Sequence, residues 1–469
     1  MKIKLSFFGA AQNVTGSKYL LEANGSKILV DCGLYQEHNL KDRNWDPFPV
    51  PPNSIDVVLL THAHLDHCGL LPKLVREGFK GKIYCTEATA EIAEIVLLDS
   101  AHIQEEDAAY KKKRHEREGR KTKYPEIPLY TIKEARYTLP LFTPVEYEKT
   151  IQVKDSIEAS FHEAGHILGS SSIKVRIKNN GEERNLIFSG DVGRWGVPIL
   201  QDPVIHEKAD YIIVESTYGD KIHGQISDIN SELTEIINLT RKRHGNVVIP
   251  SFTIGRTQEL LYHLNELLIE DRIPHLITFI DSPMAVRVTK VFQNHPELFD
   301  REMSDLVRQG DSPFNFRNLK MITSTGESKS INHIKGTTII IAGSGMCTGG
   351  RIKHHLVHNI SRHESTVLFV GYQAVGTLGR QIVDGDREVR ILGQMYPVKA
   401  LVKQISGFSA HADKNELLKW LSGIKEKPRH VFVTHGEPEA ARSFARLLND
   451  QKGWKTSVPA YRDEVNLDY

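Results

Sequence analysis

The sequence predicts an α/β protein in which a parallel α/β unit interrupts a β-rich domain assembled from both ends of the chain. Two observations predict it. Short apolar strands that end in a metal-ligand type recur over residues 1–205 and again within 396–469, whereas between 206 and 395 strands alternate with amphipathic helices. Five strands also share one pattern, an apolar run followed by Asp, Glu or His, as at Asp31, at the Val57 run into His62, at Asp191, at Glu215 and at His435. Ligands in α/β sheets gather outside the carboxyl ends of strands, so the five ligand-bearing ends are expected on one edge.

Residues 3–31 alternate apolar segments with turn signals and read as an antiparallel meander ending at Asp31. The next strand, Val57 to Leu60, runs straight into His62, His64, Asp66 and His67. Four imidazole and carboxylate groups packed so closely exceed what one tetrahedral ion that keeps a water requires, which makes two ions the natural reading. Leu70 to Glu77 reads as a helix stopped by Gly78, and Lys82 to Cys85 as a strand. A helical stretch from Glu87 to Tyr110 continues into the basic segment Lys111 to Lys123, either a solvated face or an arm near the substrate entrance. Short strands return from Val145 to Asp191, with a hairpin at Asn179-Asn180-Gly181 and with His166 and Asp191 on loops.

In the inserted unit, strands are expected at Val247 to Phe252, Leu276 to Ile280, Thr337 to Ala342 and Val367 to Tyr372. Leu260, Leu261, Leu264, Leu267 and Leu268 mark an amphipathic helix between the first two. Three Gly-Arg pairs, at Arg256, Arg351 and Arg380, are placed at helix starts. Backbone N–H groups there favour an anion and a guanidinium grips phosphate bidentately, so the three arginines are expected on phosphates. The segment Gly343 to Gly349 misses the dinucleotide fingerprint by one position, and the following strand does not end in an acid, which argues against a nucleotide cofactor. His354, His355 and His358 read as surface or phosphate contacts rather than ligands.

Composition bounds the partners. Lys and Arg number 60 against 59 Asp and Glu, a net charge of +1, so a nucleic acid would have to be held by local patches. Cys32, Cys68, Cys85 and Cys347 form no C-x-x-C pair, which fits a reducing cytoplasm and neither a zinc ribbon nor a disulfide framework. No stretch approaches the roughly 18 apolar residues of a membrane span, so a soluble protein is expected.

The set His62-Ala-His64-Leu-Asp66-His67 with Asp31, His166 and Asp191, in that arrangement, resembles the metallo-β-lactamase superfamily. Glu215, the segment around His411 and the segment Thr434-His435-Gly436-Glu437 resemble motifs A, B and C of its β-CASP branch, which cuts nucleic acids. The resemblance spans nearly the whole chain and implies an αββα sandwich with an inserted β-CASP domain and a cleft between two lobes. It further implies two zinc ions: His62, His64 and His166 on the first, Asp66, His67 and His435 on the second, Asp191 bridging. Asp31 either ligates metal or accepts a hydrogen bond from a ligand histidine, and the resemblance favours the latter. His411 is the implied general acid, oriented by Glu215, and Ser344 a donor to substrate phosphate. DNA-specific relatives tend to lack the motif C histidine, so His435 points to single-stranded RNA, cut internally or from the 5′ end; a homodimer is compatible with this reading. A thioester or lactone hydrolase would use the same metal set but leaves the inserted unit and the Glu215–His411 pair without a role.

Overall fold

A computed structural model describes residues 2–118, 126–223, 228–405 and 407–467. The chain divides into two units: residues 1–195, 202–222 and 411–469 form the first, and 196–201 with 223–410 the second.

The first unit opens with β1 (Ile3–Gly9), β2 (Lys18–Ala23) and β3 (Ser26–Val30), the antiparallel meander, followed by the parallel strands β4 (Val57–Leu59), β5 (Lys82–Thr86) and β6 (Phe142–Val145). Then come β7 (Ile151–Lys154), β8 (Ile157–Glu163), β9 (Ser171–Asn179), β10 (Glu182–Phe188) and β11 (Tyr211–Val214). The second unit contributes β12 (Val247–Pro250), β13 (Ile277–Asp281), β14 (Leu319–Met321), β15 (Thr338–Ala342), β16 (Thr366–Val370), the hairpin β17 (Glu388–Ile391) and β18 (Gln394–Pro397), and β19 (Leu401–Ile405). The chain returns to the first unit with β20 (His430–Val433), β21 (Thr456–Ser457) and β22 (Glu464–Asn466).

Two seven-stranded sheets make the sandwich, in the orders β22-β1-β2-β3-β4-β5-β6 and β21-β20-β11-β10-β9-β8-β7. The ligand-bearing strand ends therefore lie on two sheets and not on a single edge: β3 and β4 belong to the first, β10, β11 and β20 to the second. Period-2 alternation turns Leu5, Phe7, Tyr19 and Leu21 of one sheet and Phe161, Ile173, Phe188 and Phe432 of the other into a common core. Ring pairs Phe7–Phe432 and Tyr19–Phe188, with centroids 5.2 and 6.2 Å apart, cross between the sheets. Helices Lys414–Trp420 and Pro438–Lys452 cover the outer face of the second sheet through Trp420 and Phe444. The helix Glu87–Glu118 packs beside β5 and β6. It carries the basic segment as far as Glu118, and residues 119–123 of that segment lie outside the described residues.

In the second unit six strands run parallel in the order β14-β13-β15-β12-β16-β19. Because β19 pairs with β16 from Thr366↔Leu401 to Val370↔Ile405, this unit extends to Ala410, beyond the boundary near 395 that the change of pattern suggests.

Phe432 is fully inside the sheet–sheet core. Phe432→Ala should lower the unfolding free energy by about 3–5 kcal/mol through lost apolar contact and a residual cavity, read by chemical denaturation.

Candidate metal centre

Each ligand-type side chain is placed by a strand end or the turn after it. Beyond β4 the chain reaches His64, whose extended backbone precedes the short helix Leu65–Cys68 that presents Asp66 and His67. His166 sits on the loop joining β8 to β9, where Ser170 Oγ accepts from the backbone N–H groups of His166 and Ile167 at 3.1 and 3.2 Å. Asp191 follows β10. Its loop meets the His166 loop so closely that a Cβ on Gly193 would fall 1.8 Å from the Gly165 carbonyl oxygen, a position only glycine can fill. Glu215 ends β11, and His435 ends β20 in a left-handed conformation, its N–H donating to the Ala10 carbonyl at 2.7 Å.

Three groups of donors result. His62, His64, His166 and Asp191 form one, Asp66, His67 and His435 a second, and Asp191, Glu215 and His411 a third, each with its donor atoms within 4.8 Å of one another. His64 Nδ1 stands 3.1 Å from His62 Nε2 and 3.2 Å from His166 Nε2, while His67 Nε2 stands 3.2 Å from His435 Nε2. Asp191 reaches both main groups: Oδ2 lies 3.4 Å from His62 Nε2 and 3.5 Å from His166 Nε2, and Oδ1 lies 3.3 Å from His67 Nε2. Asp191 Oδ1 is buried with no hydrogen-bond partner among the described residues. Two imidazole nitrogens can share one proton, but three converging on one point cannot all be satisfied that way, and an orphaned carboxylate oxygen beside them calls for a cation. This donor set of nitrogen and carboxylate oxygen fits zinc.

The electrostatics agree. Burial drives His62 well below the usual imidazole range, with His67 adding to the effect, and burial also lowers His64, so both are pushed toward the neutral form a metal requires. Burial pushes Asp191 toward protonation, but His435, His67, His62 and His411 outweigh it and hold the carboxyl well below its ordinary range. Burial likewise opposes charge on His411, yet Glu215 and Asp191 outweigh it and raise the imidazole to about 9.

Outer partners fix the rings. Asp31 Oδ2 accepts from His67 Nδ1 at 2.7 Å while Oδ1 accepts from the Thr61 N–H at 2.8 Å, so Asp31 fixes the orientation of the His67 ring. Thr61 Oγ1 lies 3.1 Å from His62 Nδ1 and Thr217 Oγ1 lies 3.2 Å from His435 Nδ1. Neither threonine is singled out by the sequence pattern, although Thr61 directly precedes the first ligand. His411 Nδ1 donates to Glu215 Oε1 at 3.1 Å, and Glu215 also accepts from Val192 N and Thr217 N.

The three arginines expected on phosphates differ from one another. Arg256 is buried, ion-paired to Glu259 and laid over the Phe408 ring. Arg351 bonds Asp281 Oδ1 at 2.7 Å and the Thr323 carbonyl at 2.8 Å. Both guanidinium groups thus have partners inside the second unit. Arg380 is partly exposed, on the first turn of the helix Leu378–Val383, paired with Asp384 at 2.8 Å. Ser344 Oγ shares a hydrogen bond with Thr348 Oγ1. His355 is not a surface residue: it is buried, its Nε2 2.6 Å from Asp281 Oδ2, because its helix turns it onto the carboxyl end of β13.

Three family models match in succession: the metallo-β-lactamase superfamily over residues 14–212, the Beta-Casp domain over 257–382, and the Zn-dependent metallo-hydrolase RNA specificity domain over 395–459. Ribonuclease TTHA0252 of Thermus thermophilus is 38% identical over 458 residues, covering 98% of each chain. The chain belongs to the β-CASP branch of the metallo-β-lactamase superfamily. Transcription termination factor FttA of Methanocaldococcus jannaschii is also similar, 31% identical over 479 residues that cover 99% of this chain and 72% of that one. A crystal structure of a protein of unknown function from Enterococcus faecalis V583 shares the fold at 11% identity with a TM-score of 0.58, covering 99% of this β-CASP chain and all of that one. The superfamily is one of metallo-hydrolases, and among the described residues the His and Asp groups above are those that can hold its metal.

Asp31→Asn keeps shape and backbone but turns one acceptor into a donor facing Thr61 or His67. Metal affinity should fall about 10-fold to 100-fold, measured by competition with a chromophoric chelator.

Proposed function

We propose that this β-CASP protein is a zinc-dependent ribonuclease that hydrolyses phosphodiester bonds of single-stranded RNA, endonucleolytically and with 5′-exonuclease activity, in cytoplasmic RNA processing or decay. The observation that carries the reading is the His411–Glu215 pair placed against Asp191. The relative named a ribonuclease, alike over its full length, supports it.

His62, His64, His166 and Asp191 would hold one zinc ion and Asp66, His67, His435 and Asp191 a second. Bound there, zinc supplies Lewis acidity toward a phosphoryl oxygen and a nucleophile from water at neutral pH. What remains is the leaving 3′ oxygen, a poor leaving group unless protonated. His411 is built for that task. Its Nδ1–H is held by Glu215, which fixes the ring and favours the imidazolium, and the proton on Nε2 is the one delivered to the 3′ oxygen. The side chain is 22% exposed, against 2% for His67, so the acid can meet a substrate where the ligand cannot. A thioester departs as a stabilised thiolate and has little use for such an acid, which disfavours the small-molecule hydrolase.

His411→Ala should keep two zinc ions per chain by elemental analysis and keep RNA affinity, yet lose about 10²-fold to 10⁴-fold in cleavage. A substrate with a 3′-thio leaving group should be cut by the variant at close to the wild-type rate, because sulfur leaves without the proton. Since Asp191, Glu215 and His411 also lie close enough to hold an ion, a variant that sheds a metal would make His411 a ligand instead. Cleavage of circular RNA, abolished by a chelator, reads the endonucleolytic mode separately.

A further inference from the structure

In the second unit, the neighbouring strands β12 and β16 each run on, two residues past their carboxyl ends, into an exposed aromatic ring. Phe252 is 42% exposed and Tyr372 59%, whereas Phe279, Phe292, Phe314 and Phe369 of the same unit are buried. A contiguous exposed apolar patch marks an interaction surface, and these two rings leave the carboxyl ends of adjacent strands.

Both rings are built onto one loop. The Phe252 carbonyl accepts from Thr257 N at 3.2 Å and Thr257 Oγ1 at 2.7 Å, which fixes the backbone under the ring. The ring itself lies on Gly345, where a Cβ would stand 2.7 Å from Cδ2 and 2.8 Å from Cε2, so glycine is needed for the approach. On the other side Gln373, the buried neighbour of Tyr372, donates through Nε2 to the Gly345 carbonyl at 3.1 Å. Next along the loop the Met346 carbonyl accepts from Gly379 N at 3.1 Å, and Gly379 precedes Arg380. The ion pair of Arg380 with Asp384 is an exposed i,i+4 pair, weak enough to be exchanged for a phosphate.

We infer that Phe252 and Tyr372 form a stacking platform for unpaired bases of a single-stranded RNA, with Arg380 on an adjoining phosphate. The inference rests on the ribonuclease reading and adds to it how the strand is recognised. Every base has a π-face, so rings accept any sequence, while bases inside a duplex are already stacked on one another; the platform therefore selects single strands without selecting sequence.

The test measures Kd for a fluorescently labelled single-stranded RNA by anisotropy with Phe252→Ala, Tyr372→Ala and Phe252→Leu, beside an RNA of equal length whose central nucleotides are abasic. Each alanine variant should bind the natural RNA about 10-fold to 100-fold more weakly, with an unchanged salt dependence because no phosphate contact is lost. Phe252→Leu, apolar but without a π-system, should not restore binding. The abasic RNA should bind the wild type weakly and the alanine variants no more weakly still. Arg380→Gln should instead reduce the salt slope by about 1. Alanine variants that bind as the wild type does, or that lose affinity equally for abasic RNA, overturn the platform. Loss of a homo-oligomer in the variants with RNA affinity intact overturns it too, by making the patch a protein contact. Wild-type protein that binds and cuts no RNA overturns the ribonuclease reading beneath it, whereas wild-type cleavage with unaffected variants overturns the platform alone.

Discussion

A buried carboxylate among imidazoles governs the first unit. Asp191 is 2% exposed, and taking an ionised carboxylate out of water costs several kcal/mol unless charge and hydrogen bonds offset it. Imidazoles surround it. His62, His67, His166, His411 and His435 all lie within 4.0 Å of its oxygens. The neighbouring glycines follow from the same demand, because strand ends from two sheets can converge on one side chain only if their backbones approach within a distance that a Cβ forbids. Gly190 abuts Thr61 and Gly193 abuts Gly165 for this reason.

The centre uses the carboxylate–histidine pair twice, for different ends. Asp31 with His67 and Glu215 with His411 have the same chemistry, an Nδ1–H held by a carboxylate at 2.7 and 3.1 Å. In the first pair the carboxylate fixes the tautomer that turns Nε2 toward the other donors. In the second the ring is partly exposed, 22% against 2% for His67. The two rings share their chemistry and differ in exposure.

The second unit resolves a comparable conflict at the carboxyl end of its parallel sheet. Asp281 is fully buried and is satisfied by His355, Ser328 and Arg351 together. That hub commits the Arg351 guanidinium to the interior. What the edge leaves outward is Phe252 and Tyr372 beside the partly exposed Arg380.

The donor cluster that the structure brings together was legible in the sequence because metal chemistry demands particular residue types and strand ends provide them, so His62, His64, Asp66, His67, Asp191 and His435 stand out of apolar runs. Strand periodicity and turn signals likewise determined the meander of residues 3–31 and the hairpin at Asn180-Gly181. Tertiary structure alone decided which sheet each strand joins, since a ligand at a strand end carries no mark of its hydrogen-bonding neighbour. β19 resembles the strands on either side of the apparent boundary, and only its register with β16 assigns it to the second unit. The Gly-Arg pairs look alike in sequence, yet Arg351 finds Asp281 seventy positions away, Arg256 finds Glu259 and Phe408, and Arg380 stays partly exposed. Local pattern reports what a side chain can do, and long-range packing determines whether its partner is solvent, substrate or another residue of the same chain.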